Sequence, residues 1–254
     1  MRLISGVVRL LEMLKHLKSK KFTIPIVAFL LLGGIFFYFS DRFRLLIFIK
    51  TNYSKTRTPE MYLIPIKREV QLSNQLIGID SALSHKNIQF AVPWELREKL
   101  DYDVSTLFVF VNTKGIAIDE LSKDESIIQK LLKEEFSEVQ KTKLLFGEED
   151  LKSEYAIVNL ILHTTPGQAS LLNPINENAK IVPLLMWKSL YTVYGNVIYQ
   201  FSLNNFKCFQ FGNPEKTENI RIHIFNDKNQ VYRLHFVKAT QAEIDHIISS
   251  IEFR

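Results

Sequence analysis

One apolar stretch dominates the pattern of hydrophobic and polar positions along this 254-residue chain. Phe22 to Ser40 holds nineteen residues and no charge. An α-helix of that length spans about 28 Å, which is close to the hydrocarbon thickness of a bilayer. A buried core helix would keep a polar stripe, and a cleaved signal peptide would end in small residues, so both alternatives fit less well. The stretch predicts an uncleaved, single transmembrane helix.

The residues before this stretch form a short basic tail. Positions 1–21 carry six Lys or Arg residues and one Glu, so the tail has the same +5 formal charge as the whole chain. Residues 41–254 hold 26 basic and 26 acidic side chains, a balance that gives no electrostatic footprint for nucleic acid. Apolar residues recur at helical spacing in the tail. This pattern predicts either a basic amphipathic helix on an anionic leaflet or a positive-inside retention signal.

The basic tail also indicates the orientation of the span. Basic residues follow the span as well, but the cluster directly against the membrane lies on its N-terminal side. We therefore expect a cell-membrane protein with its N-terminus in the cytoplasm and residues 41–254 outside it. The single Cys208 cannot form an internal disulfide and fits either compartment.

Beyond the span, the pattern indicates a short connection and then one domain. Residues 42–50 are a second apolar patch, too short to cross a bilayer, that either rests at the outer interface or begins the domain. Because positions 51–59 are polar and turn-rich, residues 41–59 are assigned to a juxtamembrane segment and linker. Residues 60–254 have apolar positions throughout, enough for one globular domain with a core.

Short β-rich runs and amphipathic helical runs follow one another in this domain. A hairpin is expected around Thr113-Lys114, and Asn204-Asn205 has the features of a two-residue turn. The order of the runs predicts an α+β fold, in which helices pack on an antiparallel sheet. Strands are predicted at 88–93, 106–111, 197–203, 206–211, 220–225 and 231–237, and helices at 124–136, 148–163, 182–193 and 241–251.

The last predicted hairpin gives the most specific expectation. Its apolar residues alternate with polar ones, and keeping the apolar sets on one face requires an even register, for which we take Ile224 opposite Tyr232. Two Arg–His pairs then lie across the strands and form a cationic patch that should strengthen below pH ~6.5. Such a patch suits a lipid headgroup, an acidic glycan or a partner's carboxylates; otherwise it is the solvated or helix-covered back of the sheet. The patch residues are Arg221, His223, Arg233 and His235.

The C-terminal sequence also resembles a known superfamily. The strand "YRLHF", a polar stretch and a helix ending in "IISSIEF" resemble the close of PsbP-like α/β/α sandwiches. The run "IQFAVPW" at 88–94 is similar to the first strand of such domains, although Trp94 here follows Pro93 directly. The resemblance implies a non-enzymatic domain, since members serve as extrinsic subunits, assembly factors or binding proteins and share no catalytic residues.

The sequence contains few signals of a catalytic or metal-binding site. The six histidines form no metal-ligand spacing, one cysteine excludes a thiolate zinc site, and no glycine-rich or nucleophile motif occurs. We therefore expect no catalytic residue, metal or cofactor. Trp187, Tyr191 and Tyr194 line an aromatic pocket or else belong to the core. Cys208 is expected to be buried and inert.

These observations together predict a membrane-anchored, non-catalytic binding or assembly module with an extracytoplasmic domain. One alternative is a membrane-tethered hydrolase acting on an envelope substrate, for which a Ser or Asp near His163 would be needed. Another is a membrane-targeted protein whose basic tail does the membrane work. The expected partners are the bilayer, through Phe22–Ser40, and a protein of the membrane or envelope. The sequence gives no oligomeric state.

Overall fold

The computed structural model describes part of the chain. The basic tail, the predicted helix 124–136 and the turn Asn204-Asn205 lie outside the described residues, as does the predicted span apart from Gly33 and Ser40. Where the structure describes the chain, it has no helix that is both long and apolar enough to span a bilayer. The transmembrane helix therefore stays a prediction. The described residues are 33, 40–71, 81–121, 153–193, 195–203 and 206–254.

The described strands form two sheets. They are β1 (Ile66–Lys67), β2 (Ser81–His85), β3 (Ile88–Val92), β4 (Leu96–Asp101), β5 (Ser105–Phe110), β6 (Gly115–Glu120), β7 (Ile198–Leu203), β8 (Phe206–Phe211), β9 (Asn219–Phe225), β10 (Val231–Val237) and β11 (Glu252–Phe253). The eight-stranded sheet has the order β1-β7-β8-β9-β10-β6-β5-β4, and the three-stranded sheet has the order β11-β3-β2. Every predicted strand is present, and the α+β class is confirmed. The larger sheet is mixed, however, because β1 runs parallel to β7.

The described helices are α1 (40–52), α2 (Glu154–His163), α3 (Ile175–Thr192) and α4 (Gln241–Ser249). Helix α4 starts where predicted, because Thr240 and Glu243 form a capping box. It ends before the predicted boundary, and the chain continues into β11. Helix α3 begins well before the predicted position 182. The difference arises because Pro183, which suits the first turn of a helix, here lies in its interior.

The register predicted for the last hairpin is confirmed. Ile224 lies opposite Tyr232, His223 opposite Arg233, and Arg221 opposite His235 in the β9–β10 pair. Strand β10 also pairs with β6 on its other side, so the hairpin lies inside the sheet. The alternation of side chains in this hairpin therefore decides what each face of the sheet packs against.

Two hydrophobic cores lie on the two faces of the larger sheet. On one face, Ile222 and Leu234 belong to a core completed by β3 and helix α4. On the other face, Phe225 and Val231 belong to a core completed by α2 and α3, which contribute residues such as Val158. The second core matters for function, because it covers the face that carries the predicted cationic patch.

Helix α1 packs against α3. Its Ile49 is fully buried in a cluster with Met61, Ile181 and Leu185, and Lys50 Nζ donates to the carbonyl of Pro166 at 3.2 Å. This packing makes residues 42–50 part of the domain, and it involves only the buried side of the helix. The boundary assigned at residue 60 stays a prediction.

A buried lysine joins three segments on this side of the fold. Lys188 of α3 has no exposed surface, and its Nζ donates to the carbonyl oxygens of Leu63 at 2.6 Å and Thr164 at 2.7 Å. Burial lowers the pKa of Lys188 to about 8. The two carbonyls compensate part of the cost of burying the amine, and they hold α3 against the end of α2 and the turn before β1.

Candidate functional site

The face of the last hairpin opposite the isoleucines borders a cavity of about 160 Å³. We call it the hairpin cavity. Arg221 and His223 of β9 and Arg233 of β10 line it on the sheet side, and Trp187 and Tyr191 line it from α3. Two groups of candidate residues that the sequence suggested separately therefore border the same space. The remaining lining residues are Leu121, Glu154, Val158, Leu190, Phe225 and Val231.

The other two candidate residues differ in position. Tyr194 lies outside the described residues. His235 pairs with Arg221 across the strands, but it is not among the side chains that line the cavity. The predicted patch of four residues is thus divided, and three of its members belong to the cavity.

Aromatic rings hold His223 in place. Its ring centroid lies 5.1 Å from that of Phe211 and 5.5 Å from that of Tyr191, both in edge-to-face orientation. The residue is only 6% exposed. Its Nε2 is buried, and no hydrogen-bond partner for it is present among the described residues. His223 therefore contributes to the cavity lining a ring whose Nε2 has no partner among the described residues.

The charges at the cavity are partly balanced. Arg233 lies directly opposite Asp119 of β6, and its Nε donates to that carboxylate at 2.7 Å. Glu154, in the first turn of α2, is only 3% exposed. The lining thus combines two arginines with one carboxylate, and a second carboxylate pairs with one of those arginines. Helices cover this face of the sheet, as one of the two sequence interpretations expected.

The predicted pH response of the patch is wrong. Burial, followed by the charges of Arg221 and Arg233, lowers the pKa of His223 well below its usual value. Burial and Arg221 also lower the pKa of His235 to about 4. Both rings stay neutral in mild acid because the sheet and its helical cover exclude water and because the neighbouring arginines repel a second positive charge. The positive charge of the patch comes from its arginines.

The described residues give no support for the hydrolase alternative. His163 Nδ1 contacts the carbonyl oxygen of Asn159 at 2.8 Å, and no described Ser or Asp side chain is hydrogen-bonded to its ring. Cys208 is fully buried, as expected, and burial raises its pKa. Across 40–71, 81–121, 153–193, 195–203 and 206–254, no three His, Cys, Asp or Glu side chains are grouped to hold a metal ion.

Sequence reasoning missed two acidic residues of the site. Glu154 follows Ser153, whose Oγ accepts from the N–H of Ala156 at 3.4 Å and caps α2. A Ser followed by an acidic residue at the start of an apolar-periodic run is a signal for a helix start, and it would have placed Glu154 at that end. Asp119 gave no such signal, because its pairing with Arg233 depends on the long-range contact between β6 and β10.

A comparison with known proteins gives no family and no relative. No protein-family model matches the chain, and no curated protein matches it. The class of this protein therefore rests on its own fold and site. It is an α+β domain with a sheet covered by helices and a cavity lined by aromatic, cationic and apolar side chains.

The depressed pKa of His223 predicts acid sensitivity. The unfolded chain takes up a proton on this residue near pH ~6.5, whereas the folded chain does not, so the free energy of unfolding should fall as the pH drops below that value. His223→Gln should remove part of this dependence, by up to about 1.4 kcal/mol for each pH unit. Urea unfolding of the full-length protein in mild detergent, at several pH values, measures the slope.

His163→Gln is the control for this experiment, because His163 is a half-buried histidine at the end of α2, away from the cavity lining. The control should keep the slope of the unchanged protein. If His223→Gln has the same pH dependence as the unchanged protein, the neutral state assigned to His223 is wrong.

Proposed function

We propose that this protein is a single-pass, membrane-anchored, non-catalytic binding module and that the hairpin cavity is its ligand site. The observation that carries the proposal is His223, a residue that lines the cavity and whose buried Nε2 has no hydrogen-bond partner among the described residues. A buried polar atom in that state costs about 1–3 kcal/mol. A ligand that enters the cavity and turns the His223 ring toward itself would supply the missing partner and recover that free energy.

The lining indicates the chemistry of the ligand. Arg233 lies opposite His223 across the strands, and Arg221 lies two residues before His223 on β9. With Glu154 these two arginines leave the lining itself with one net positive charge. Trp187 and Tyr191 offer aromatic surface beside these charges. The best match is a small molecule with one anionic group, such as a carboxylate, and a compact apolar or aromatic part. A cavity of about 160 Å³ limits the buried part of the ligand to that size.

Binding fits this lining better than catalysis. The described lining contains no serine, cysteine or lysine that could act as a nucleophile. The lowered pKa of His223 also makes its ring a poor base near neutral pH. The resemblance of the C-terminal sequence to PsbP-like domains supports the same proposal, because it implies a binding or assembly role.

The membrane anchor and the orientation are part of the proposal. The uncharged stretch Phe22–Ser40 supports a single span, and the basic tail before it supports a cytoplasmic N-terminus. The described domain then lies outside the cytoplasm, where its cavity would meet envelope ligands or a partner protein of the envelope.

Ligand class is tested with two molecules of nearly equal size. Benzoate should bind the full-length protein in mild detergent and benzamide should not, because only benzoate carries the negative charge that the arginines select. Arg221→Gln should weaken benzoate binding about tenfold, the loss expected when one charge-assisted hydrogen bond is removed. Saturation-transfer NMR with a benzoate titration measures both effects.

The control for this variant is Arg97→Gln, which changes an exposed arginine on the edge strand β4. It should bind benzoate as the unchanged protein does. Equal binding of benzamide and benzoate, or unaltered benzoate binding by Arg221→Gln, would contradict the proposed anion site.

The orientation is tested with reporters fused after Arg254 in a bacterial host. A phosphatase fused there should be active and a fluorescent protein should be dark, because only the phosphatase matures outside the cytoplasm. Fusions placed after Lys21, before the predicted span, should give the opposite pair of signals. Fluorescent cells without phosphatase activity from the Arg254 fusions would contradict the extracytoplasmic placement.

A further inference from the structure

Helix α1 leaves large apolar side chains exposed. Phe43, Ile47 and Phe48 are each about half exposed, while Ile49, on the opposite side of the helix, is buried against α3. The helix is thus apolar on the side that packs on the domain and also on part of the side that does not. An ordinary surface helix would carry polar residues on its outer side.

A second row of exposed apolar side chains lies on α3, the helix against which α1 packs. Val182 packs with the cluster that holds Ile49, and the residues that follow it on the same side of the helix are Met186, Leu190 and Val193. These three are well exposed: 60%, 61% and 71% respectively. The row therefore starts at the contact with α1 and runs outward along α3. We call the exposed apolar residues of the two helices, together with Val193 directly after α3, the apolar face: Phe43, Ile47, Phe48, Met186, Leu190 and Val193.

We infer that the apolar face lies on the lipid bilayer and holds the domain against the membrane surface. The inference rests on the proposed anchor, because α1 follows the apolar stretch 22–40 without a break in the sequence. At ~1.5 Å per residue, Phe43 lies about 5 Å along a helix from Ser40, so the first turns of α1 cannot leave the interfacial region.

The charges beside the apolar face favour a bilayer over a second copy of this chain. Residues 41–57 contain five Lys or Arg residues and one Asp. Anionic headgroups complement such a surface, and long basic side chains extend from an apolar helix face into the headgroup layer. A second copy would bring the same positive charge to the contact and would be repelled.

This arrangement connects the membrane to the proposed ligand site. Leu190 belongs to the apolar face, and it also lines the hairpin cavity. It further borders an open groove of about 720 Å³ together with Val193. The cavity therefore meets the exposed surface at the edge of the apolar face, so its ligand would enter from the membrane surface and would be an anionic amphiphile delivered by the bilayer.

Site-specific fluorescence in vesicles tests the inference. Val193→Cys and Val104→Cys make the same chemical change at two exposed valines. Val104 (61% exposed) lies between β4 and β5, at the edge of the large sheet that β4 forms. The native Cys208 is fully buried, so the unchanged protein gives the labelling background. Each full-length variant is labelled with an environment-sensitive fluorophore and reconstituted into vesicles of phosphatidylcholine and phosphatidylglycerol that contain nitroxide lipids.

The label at position 193 should be quenched several-fold more strongly than the label at position 104, with a blue-shifted emission. Equal quenching at both positions would overturn the inference, and so would rapid disulfide crosslinking of two chains through Cys at position 193. Flotation of the protein with the vesicles separates the two proposals. Protein that floats without quenching at position 193 would support the anchor and overturn the apolar face as a membrane surface. Protein that does not float would overturn both proposals.

Discussion

The even register between β9 and β10 is the constraint on which the rest of this structure depends. It directs Ile222 and Leu234 toward the core with α4, and it directs His223 and Arg233 toward α2 and α3. A slip of one residue would exchange the two faces, burying the arginines among isoleucines. Because β10 is also paired with β6, its register is fixed by a neighbouring strand on each side. This register determines which side chains of β9 and β10 line the cavity.

The chemistry of the cavity follows from a competition between burial and charge. Burying Arg233 without a partner would be costly, and Asp119 on the adjacent strand offsets this cost through a cross-strand ion pair. His223 has no such partner and stays neutral, packed against Tyr191 and Phe211. The site thus combines polar groups and aromatic rings around one small space. This is the usual composition of a small-molecule site, in which a few polar groups set specificity within an apolar lining.

Local patterning predicted the elements well, and the reason is physical. Strand alternation and helical periodicity are local signals, so the strands, the capping box of α4 and the β9–β10 register could be read from neighbouring residues. Long-range contacts leave no such signal. The parallel pairing of β1 with β7 and the β6–β10 pairing both join segments far apart in the sequence.

The candidate site shows the same difference between local signals, which the sequence reveals, and long-range contacts, which it does not. Arg221, His223 and Trp187 were identified from local pattern, but their meeting at one cavity depends on where α3 packs. Lys188 shows the limit most clearly: a lysine in a helix is normally exposed, and only the carbonyls of Leu63 and Thr164 allow this one to be buried. The histidine pKa values were misjudged for a related reason, since burial by α2 and α3 is a property of the assembled fold.

We propose that the hairpin cavity holds an anionic ligand in the cell. Native mass spectrometry of the full-length protein, released from its own membrane in mild detergent, tests this most directly when the unchanged protein and Arg221→Gln are compared. We predict that the unchanged protein retains a small anionic molecule, detectable in negative-ion mode after denaturation, and that the variant has lost it. An unchanged protein without any bound small molecule, or one with the same bound molecules as the variant, would contradict the account.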